Sequence, residues 1–289
     1  MGFKDKLKDA LIGILTDEEL SALPRGFQTI GDVAIVKFKP LLLEKKILIA
    51  EKYLDLLPKL KAVYLNSGRV KGQFRTPEKI ALLVGIDNPI VKHKEHGVIY
   101  KFDFTKIMFS MGNLNERKFL ATIVKEGEVI VDMFAGIGYF SLPIAKHSKP
   151  KKIFSIELNP DSFKYLTENI KLNHFEEIIT PIYGDSKIEV INLSNSGLKA
   201  DRVIMGVFPA PKDFIKEALT IAKVEGTIYH YEGIVVKEKY LDLFTEFKDI
   251  AEKSDFKCDL LSKRFVKSYG PGLYHVVLDI KVYKNRSQF

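Results

Sequence analysis

The chain predicts an open, mostly parallel α/β sheet that binds a ligand at the carboxyl ends of its strands. Three stretches carry that prediction. Val129 to Val131 is a short β-branched run ending in Asp132. It leads into the glycine-broken turn Met-Phe-Ala-Gly-Ile-Gly, residues 133–138, and Tyr139 to His147 then has helix-like spacing. Ile153 to Ile156 is a second apolar strand ending in Glu157. An acidic residue about 20 positions beyond such glycines is placed to accept hydrogen bonds from ribose hydroxyls. Ile178 to Tyr183 is a third strand, and it ends in Gly184-Asp185-Ser186, where a polar group can meet an adenine edge. Glycine lacks a Cβ, so the first turn can bend sharply and let a ligand approach its backbone. No Gly-Lys-Ser/Thr follows, which excludes a Walker loop, and Ser141 stands where the dinucleotide pattern has its third glycine. Asp132, Glu157 and Asp185 suit one nucleoside lying across the sheet. The plainer alternative is a doubly wound domain with ordinary acidic turns.

The elements follow in order. Residues 1 to about 22 read as a helical extension with Leu7, Leu11, Ile14 and Leu15 on one stripe, and Leu23 to Phe27 breaks it. A small α+β module covers 23–103. It has a strand at 32–38, a helix from roughly Leu43 to Leu57, a strand at Val63 to Leu65, a basic glycine-containing stretch at 69–75, and strands at 80–84 and 99–103. Residues 104–289 form the larger domain, with strands at 129–131, 153–157, 178–183, 201–206, 226–231, 255–266 and 274–283. The last two read as an antiparallel hairpin at the sheet edge, turning at 268–272.

Composition narrows the class. At 289 residues, 46% hydrophobic and 28% charged, the chain is a soluble globular protein of two modest domains or one large one. It has no apolar run near the ~20 residues a bilayer span needs, and no signal-peptide core. These features, with the single Cys258, which excludes an internal disulfide and a cysteine-based zinc site, point to the cytoplasm. The six histidines lack ligand spacing, so no metal is expected; His230 and His275 read as core or edge residues of strands. Nothing indicates a membrane or an obligate protein partner. A net charge of +8 fits a polyanionic partner or a solvated basic surface equally well. Lys71, Arg75, Lys79, Lys92, Lys94, Lys151 and Lys152 are candidates to face phosphate. Arg117 could pair with a ligand carboxylate, although by itself it reads better as a solvated helix end.

Six stretches together carry a resemblance: KIMFSMGNLNER (106–117), DMFAGIG (132–138), SLPIA (141–145), ENIKLN (168–173), DRVIMG (201–206) and KSYGPGLYHVV (267–277). The chain resembles the archaeal tRNA wybutosine-synthesis aminocarboxypropyltransferases, siblings of the tRNA guanine-37 N1-methyltransferases, from about residue 20 to its end. The methyltransferases place Asn where Gly206 stands, so Gly206 discriminates. The resemblance implies a class I S-adenosylmethionine-dependent, Rossmann-like transferase domain. The reaction would move the 3-amino-3-carboxypropyl group of S-adenosylmethionine to carbon 7 of 4-demethylwyosine at position 37 of phenylalanine tRNA. It further implies that Ser110, Arg117, Glu157, Asp185 and Ser186 bind that donor. Asp132, Phe134 and Gly136 of the first turn, and Gly206, complete the set. The smaller domain would dock the tRNA near its anticodon loop. Two other readings stay open: guanine-37 N1-methylation, and a non-catalytic RNA-binding relative.

Overall fold

The structure is a computed structural model that describes residues 2–68, 70–72 and 76–284. It has two compact units, Met1–Glu95 with Ile99–Phe109, and His96–Val98 with Ser110–Phe289.

The first unit contains helices α1 (Phe3–Asp9) and α2 (Asp17–Ala22), strands β1 (Gln28–Ile30) and β2 (Val33–Val36), and helix α3 (Lys46–Leu56). Strands β3 (Ala62–Asn66), β4 (Val70–Lys71), β5 (Thr76–Pro77) and β6 (Ile80–Gly85) follow, then β7 (Ile90–Glu95) and β8 (Val98–Asp103). Its main sheet runs β1-β2-β3-β6, with only β2 and β3 parallel. Residues 1–22 are not one helix. Gly13 turns the chain at φ +79°, and Thr16 starts a new helix through a capping box with Glu19. The turn leaves Ile14 44% exposed, off the predicted stripe, while Leu7, Leu11 and Leu15 enter the same core as Ile49 and Val63. Helix α3 starts at Lys46 because a 3-10 turn occupies Pro40–Leu42. Strand β7 was absent from the sequence reading. It pairs with β8 through His96 and Gly97, both at positive φ (47° and 77°), as a tight two-residue hairpin turn requires. Of the basic stretch at 69–75, residues 69 and 73–75 lie outside the described residues.

The second unit runs α4 (Leu114–Ile123), β9 (Val129–Asp132), α5 (Ser141–His147), β10 (Lys152–Glu157), α6 (Pro160–Leu172), β11 (Ile179–Tyr183), α7 (Ser186–Asn195) and β12 (Arg202–Met205). Then come α8 (Ile215–Ala218), β13 (Thr227–Val236), α9 (Tyr240–Glu252), β14 (Lys257–Gly270) and β15 (Leu273–Tyr283). The sheet order is β11-β10-β9-β12-β13-β15-β14, parallel through β13 and antiparallel for the last two. Strands covered on both faces need nearly continuous apolar runs, which is what Val129–Val131 and Val203–Met205 supply. From β9 the chain winds outward to β11, then returns to pair β12 with the other side of β9. Ligands of open α/β sheets bind at such a reversal, outside the carboxyl strand ends. The core of this unit gathers Val131, Val203, Tyr229, Val276 and Leu278 under Leu243 and Phe247 of α9. Among the described residues no helix is long and apolar enough to cross a membrane.

Candidate nucleoside and donor site

The first turn is held from both sides. Met133 N donates to Ile204 O and Ala135 N to Ile156 O, so the exits of β12 and β10 brace the exit of β9. Gly136 (φ +58°) and Gly138 (φ +98°) have no room for a side chain: a Cβ would lie 2.7 Å from the Tyr139 ring or 2.8 Å from Leu142. The two glycines therefore fix the cradle.

Asp132 is buried at the end of β9. Its Oδ2 accepts from Ser141 Oγ at 2.7 Å, and Ser141 Oγ also meets Ser155 Oγ at 2.7 Å. Its Oδ1 is buried with no hydrogen-bond partner among the described residues. Burial pushes the Asp132 carboxyl up to about 7, with the Glu157 and Glu232 carboxylates adding to the rise and the Ser141 and Phe134 hydrogen bonds opposing it. A buried carboxyl oxygen without a protein partner can accept from a hydrogen-bond donor or face a cation.

Glu157 reaches back from β10. Its Oε2 accepts from Gly136 N and its Oε1 from Asn159 N, each at 2.7 Å. Burial raises its pKa against those backbone hydrogen bonds. At β11, Gly184 N donates to Glu157 O, Asp185 caps α7 by accepting from Lys187 N at 2.8 Å, and Ser186 Oγ donates to Met133 O. Ser186 thus ties the exit of β11 to that of β9. Phe134 packs edge-on against Phe214, ring centroids 4.9 Å apart.

Arg117 is not a solvated helix end. It is 2% exposed, its Nη2 donates to Ser110 O at 2.8 Å, and its guanidinium stacks 4.5 Å from the Tyr139 ring, which itself covers Gly136. Ser110 caps the turn at Met111–Asn113, and its Oγ accepts from Lys267 Nζ at 3.4 Å. At the end of β12, a Cβ on Gly206 would lie 3.1 Å from Phe140 and 3.3 Å from Glu232 Oε1. Asp132, Gly136, Glu157, Asp185, Ser186 and Gly206 therefore line one strand-end edge, and Arg117 joins it through Tyr139. Sequence reasoning passed over Tyr139 and Glu232. The only signal for Glu232 was a carboxylate inside an apolar strand run.

The arrangement has an orphaned buried carboxylate oxygen, a glycine cradle, and a half-buried carboxylate at the end of β10, which fits a cationic nucleoside donor. Among the described residues no His/Cys/Asp/Glu group is disposed to hold a metal ion. A model of the TRM5/TYW2 methyltransferase domain matches residues 91–261, and one of the TYW2 N-terminal domain matches residues 7–88. The chain is 41% identical, over 88% of its length and 97% of the relative's, to the tRNA(Phe) (4-demethylwyosine(37)-C(7)) aminocarboxypropyltransferase of Methanocaldococcus jannaschii. It is similar to P. horikoshii TYW2 in complex with MeSAdo, at 36% identity and a TM-score of 0.81, covering 98% of this chain and 100% of that one. It is also similar to M. jannaschii TYW2 in complex with AdoMet, at 34% identity and a TM-score of 0.71, covering 90% and 100%.

Proposed function

The chain belongs to the TRM5/TYW2 family, and on that premise we propose that it transfers the 3-amino-3-carboxypropyl group of S-adenosylmethionine to carbon 7 of 4-demethylwyosine at position 37 of tRNA(Phe), releasing 5′-methylthioadenosine. The donor's sulfonium makes three carbons electrophilic, and orientation decides which one reacts. Arg117, rigid on Tyr139, holds the donor carboxylate and turns the propyl arm toward the acceptor. Asp132 Oδ1 faces the donor's positive charge, Glu157 takes the ribose hydroxyls, and Asp185 with Ser186 marks the adenine end. The observation that carries the choice of reaction is Gly206: it has no side-chain amide to orient a ring nitrogen, and a Cβ there would crowd Phe140 and Glu232 at 3.1 and 3.3 Å. Donor labelled separately in its methyl and carboxyl carbons tests this: the carboxyl label should enter precursor tRNA. Entry of the methyl label alone would show a methyltransferase.

Donor binding should be coupled to pH. A cation beside Asp132 favours its ionised form, and that carboxyl stands at about 7 in the free protein. Below pH 7 the donor must therefore displace a proton. Its affinity is expected to fall by up to about tenfold per pH unit toward pH 5.5, with about one proton released per donor bound at pH 6 in calorimetry across buffers of different ionisation heat.

The first unit docks the tRNA in this reading, and action on tRNA supports a cytoplasmic location. Within that unit, Lys61, Lys92, Lys94 and Lys101 line a cavity of about 920 Å³ with His93. Lys92 and Lys94, two apart on β7, share a face. Of the other candidates, Arg75 lies outside the described residues, and Lys151 and Lys152 belong to the second unit. Phosphate contacts weaken with salt by counterion release. The double variant Lys92→Ala/Lys94→Ala should lower the slope of log affinity against log salt by roughly 1–2 and leave donor affinity unchanged. An unchanged slope would remove this face from the tRNA path.

A further inference from the structure

The reaction leaves one task unassigned. A ring carbon that has formed a new carbon–carbon bond still carries its hydrogen, and the ring regains aromaticity only when a base removes that proton. Four acidic side chains near the strand ends are committed elsewhere. Asp132 gives Oδ2 to Ser141 and, in the reading above, Oδ1 to the donor's positive charge, and both oxygens of Glu157 accept backbone N–H groups. Asp185 caps α7, and Glu116 is gripped by Arg264 through contacts of 2.7, 3.0 and 3.1 Å.

Glu232 is different. It lies on β13 one residue beyond Tyr231, which pairs with Met205, so it stands level with Gly206 on the neighbouring strand. It is 2% exposed, and its Oε2 is held by His275 Nε2 at 2.9 Å. His275 is itself buried and walled by the Phe208 ring, centroids 4.6 Å apart. The other oxygen, Oε1, points to the space above Gly206, 3.3 Å from where a Cβ there would lie. An Asn at 206 would cover that oxygen. The glycine therefore does more than remove an amide: it uncovers a carboxylate at the edge where the acceptor must lie.

We propose that Glu232 is the base that takes the proton from the acceptor carbon, and that His275 is the positioning residue that holds its carboxylate; this rests on the aminocarboxypropyl reading above. The new bond forms between ring carbon 7 and the γ carbon of the donated chain. The carbon–sulfur bond breaks, and its electron pair stays on sulfur as a neutral thioether. The C–H electron pair of carbon 7 then returns to the ring, and its proton passes to Oε1 of Glu232. Water receives the proton when the product leaves. His275 holds Oε2 by donating its Nε2–H to the carboxylate.

The test uses the full chain with tRNA carrying 4-demethylwyosine, protonated or deuterated at carbon 7. Glu232→Gln keeps the shape and the hydrogen bond to His275 but cannot take a proton. Its single-turnover rate should fall by roughly 10²–10⁴-fold, donor affinity by calorimetry should be unchanged, and a primary deuterium isotope effect should appear that the wild type lacks. Glu232→Asp, should the Gln variant not fold, retains a carboxylate set back by one methylene. It should be slowed less and show the same isotope effect. Wild-type rates, or slowing without an isotope effect, would overturn the assignment. If instead the wild type transfers no carboxyl label, the underlying reaction is wrong, and that outcome is visible before any variant is made.

Discussion

Arg264→Ala is expected to lower the unfolding free energy by about 3–5 kcal/mol at neutral pH, because it strands two buried carboxylates at once. Arg264 binds Glu116 with Nε and Nη2, and its Nη2 also donates to Asp279 Oδ1 at 2.9 Å while Nη1 bonds Asp279 Oδ2. Glu116 and Asp279 are 4% and 6% exposed, so both carboxylates depend on the guanidinium for their compensation. Asp279 is the hinge of a longer chain. His230 Nδ1 meets Asp279 Oδ1 at 2.5 Å, and His230 Nε2 meets Arg202 Nη1 at 2.6 Å. Arg202 in turn pairs with Glu128. Since Arg202 can only donate, His230 accepts there and carries its proton on Nδ1.

Burial alone would raise Asp279, but hydrogen bonds from His230 and Arg264 hold it well below the usual carboxylate range. Burial pushes His230 down, with Arg202 and Arg264 beside it. In both cases the unfolded chain binds more protons in the acid range. His230 therefore costs stability as pH falls below about 6.5, and Asp279 as it falls below about 4. Urea unfolding of wild type, Arg264→Ala, Asp279→Asn and the double variant would measure the coupling. A loss under about 1 kcal/mol for Arg264→Ala would show that the network relaxes or hydrates.

The sheet was legible because its parallel strands are short β-branched runs stopped by Asp, Gly or Glu, and buried parallel strands leave little else to choose. Asp132, Glu157 and Asp185 mark strand ends by type and spacing alone. The features that escaped share a physical cause. Strand β7 hid behind Lys92, Lys94 and Glu95, whose charges broke the alternation its backbone still follows. Arg117 looked solvated because its partner, Tyr139, is 22 positions away in sequence and reaches it only when the first turn folds over Gly136. Glu232 sat inside an apolar run, and its meaning depends on Gly206 in the adjacent strand. Register between strands, not composition within one, creates that pair. Residues 1–22 showed their apolar stripe, but the positive φ at Gly13 and the restart at Thr16 redirected it into the core.

Glu157→Ala should weaken binding of S-adenosylmethionine by roughly 10- to 150-fold, the cost of losing hydrogen bonds to a charged acceptor, about 1.5–3 kcal/mol. Two losses combine. In the proposed reading the ribose loses its carboxylate, and Gly136 N and Asn159 N, each 2.7 Å from a Glu157 oxygen, lose the group that fixes the first turn. Glu157→Gln offers little relief: both carboxylate oxygens accept from backbone N–H groups, so an amide NH₂ must face a donor at one of them. The ligand fragment that carries the loss separates this role from that of Arg117. On that reading Glu157 acts on the nucleoside, so 5′-methylthioadenosine, which lacks the amino-acid arm, should weaken by the same factor. In the proposed reading Arg117→Ala removes the grip on the carboxylate and should weaken S-adenosylmethionine while leaving 5′-methylthioadenosine nearly unchanged. Calorimetry of both ligands with both variants gives four numbers, and the two roles stand only if the losses split in that pattern. Equal losses of both ligands in Arg117→Ala would mean that Arg117, through its stack on Tyr139, shapes the turn and never touches the donor's carboxylate.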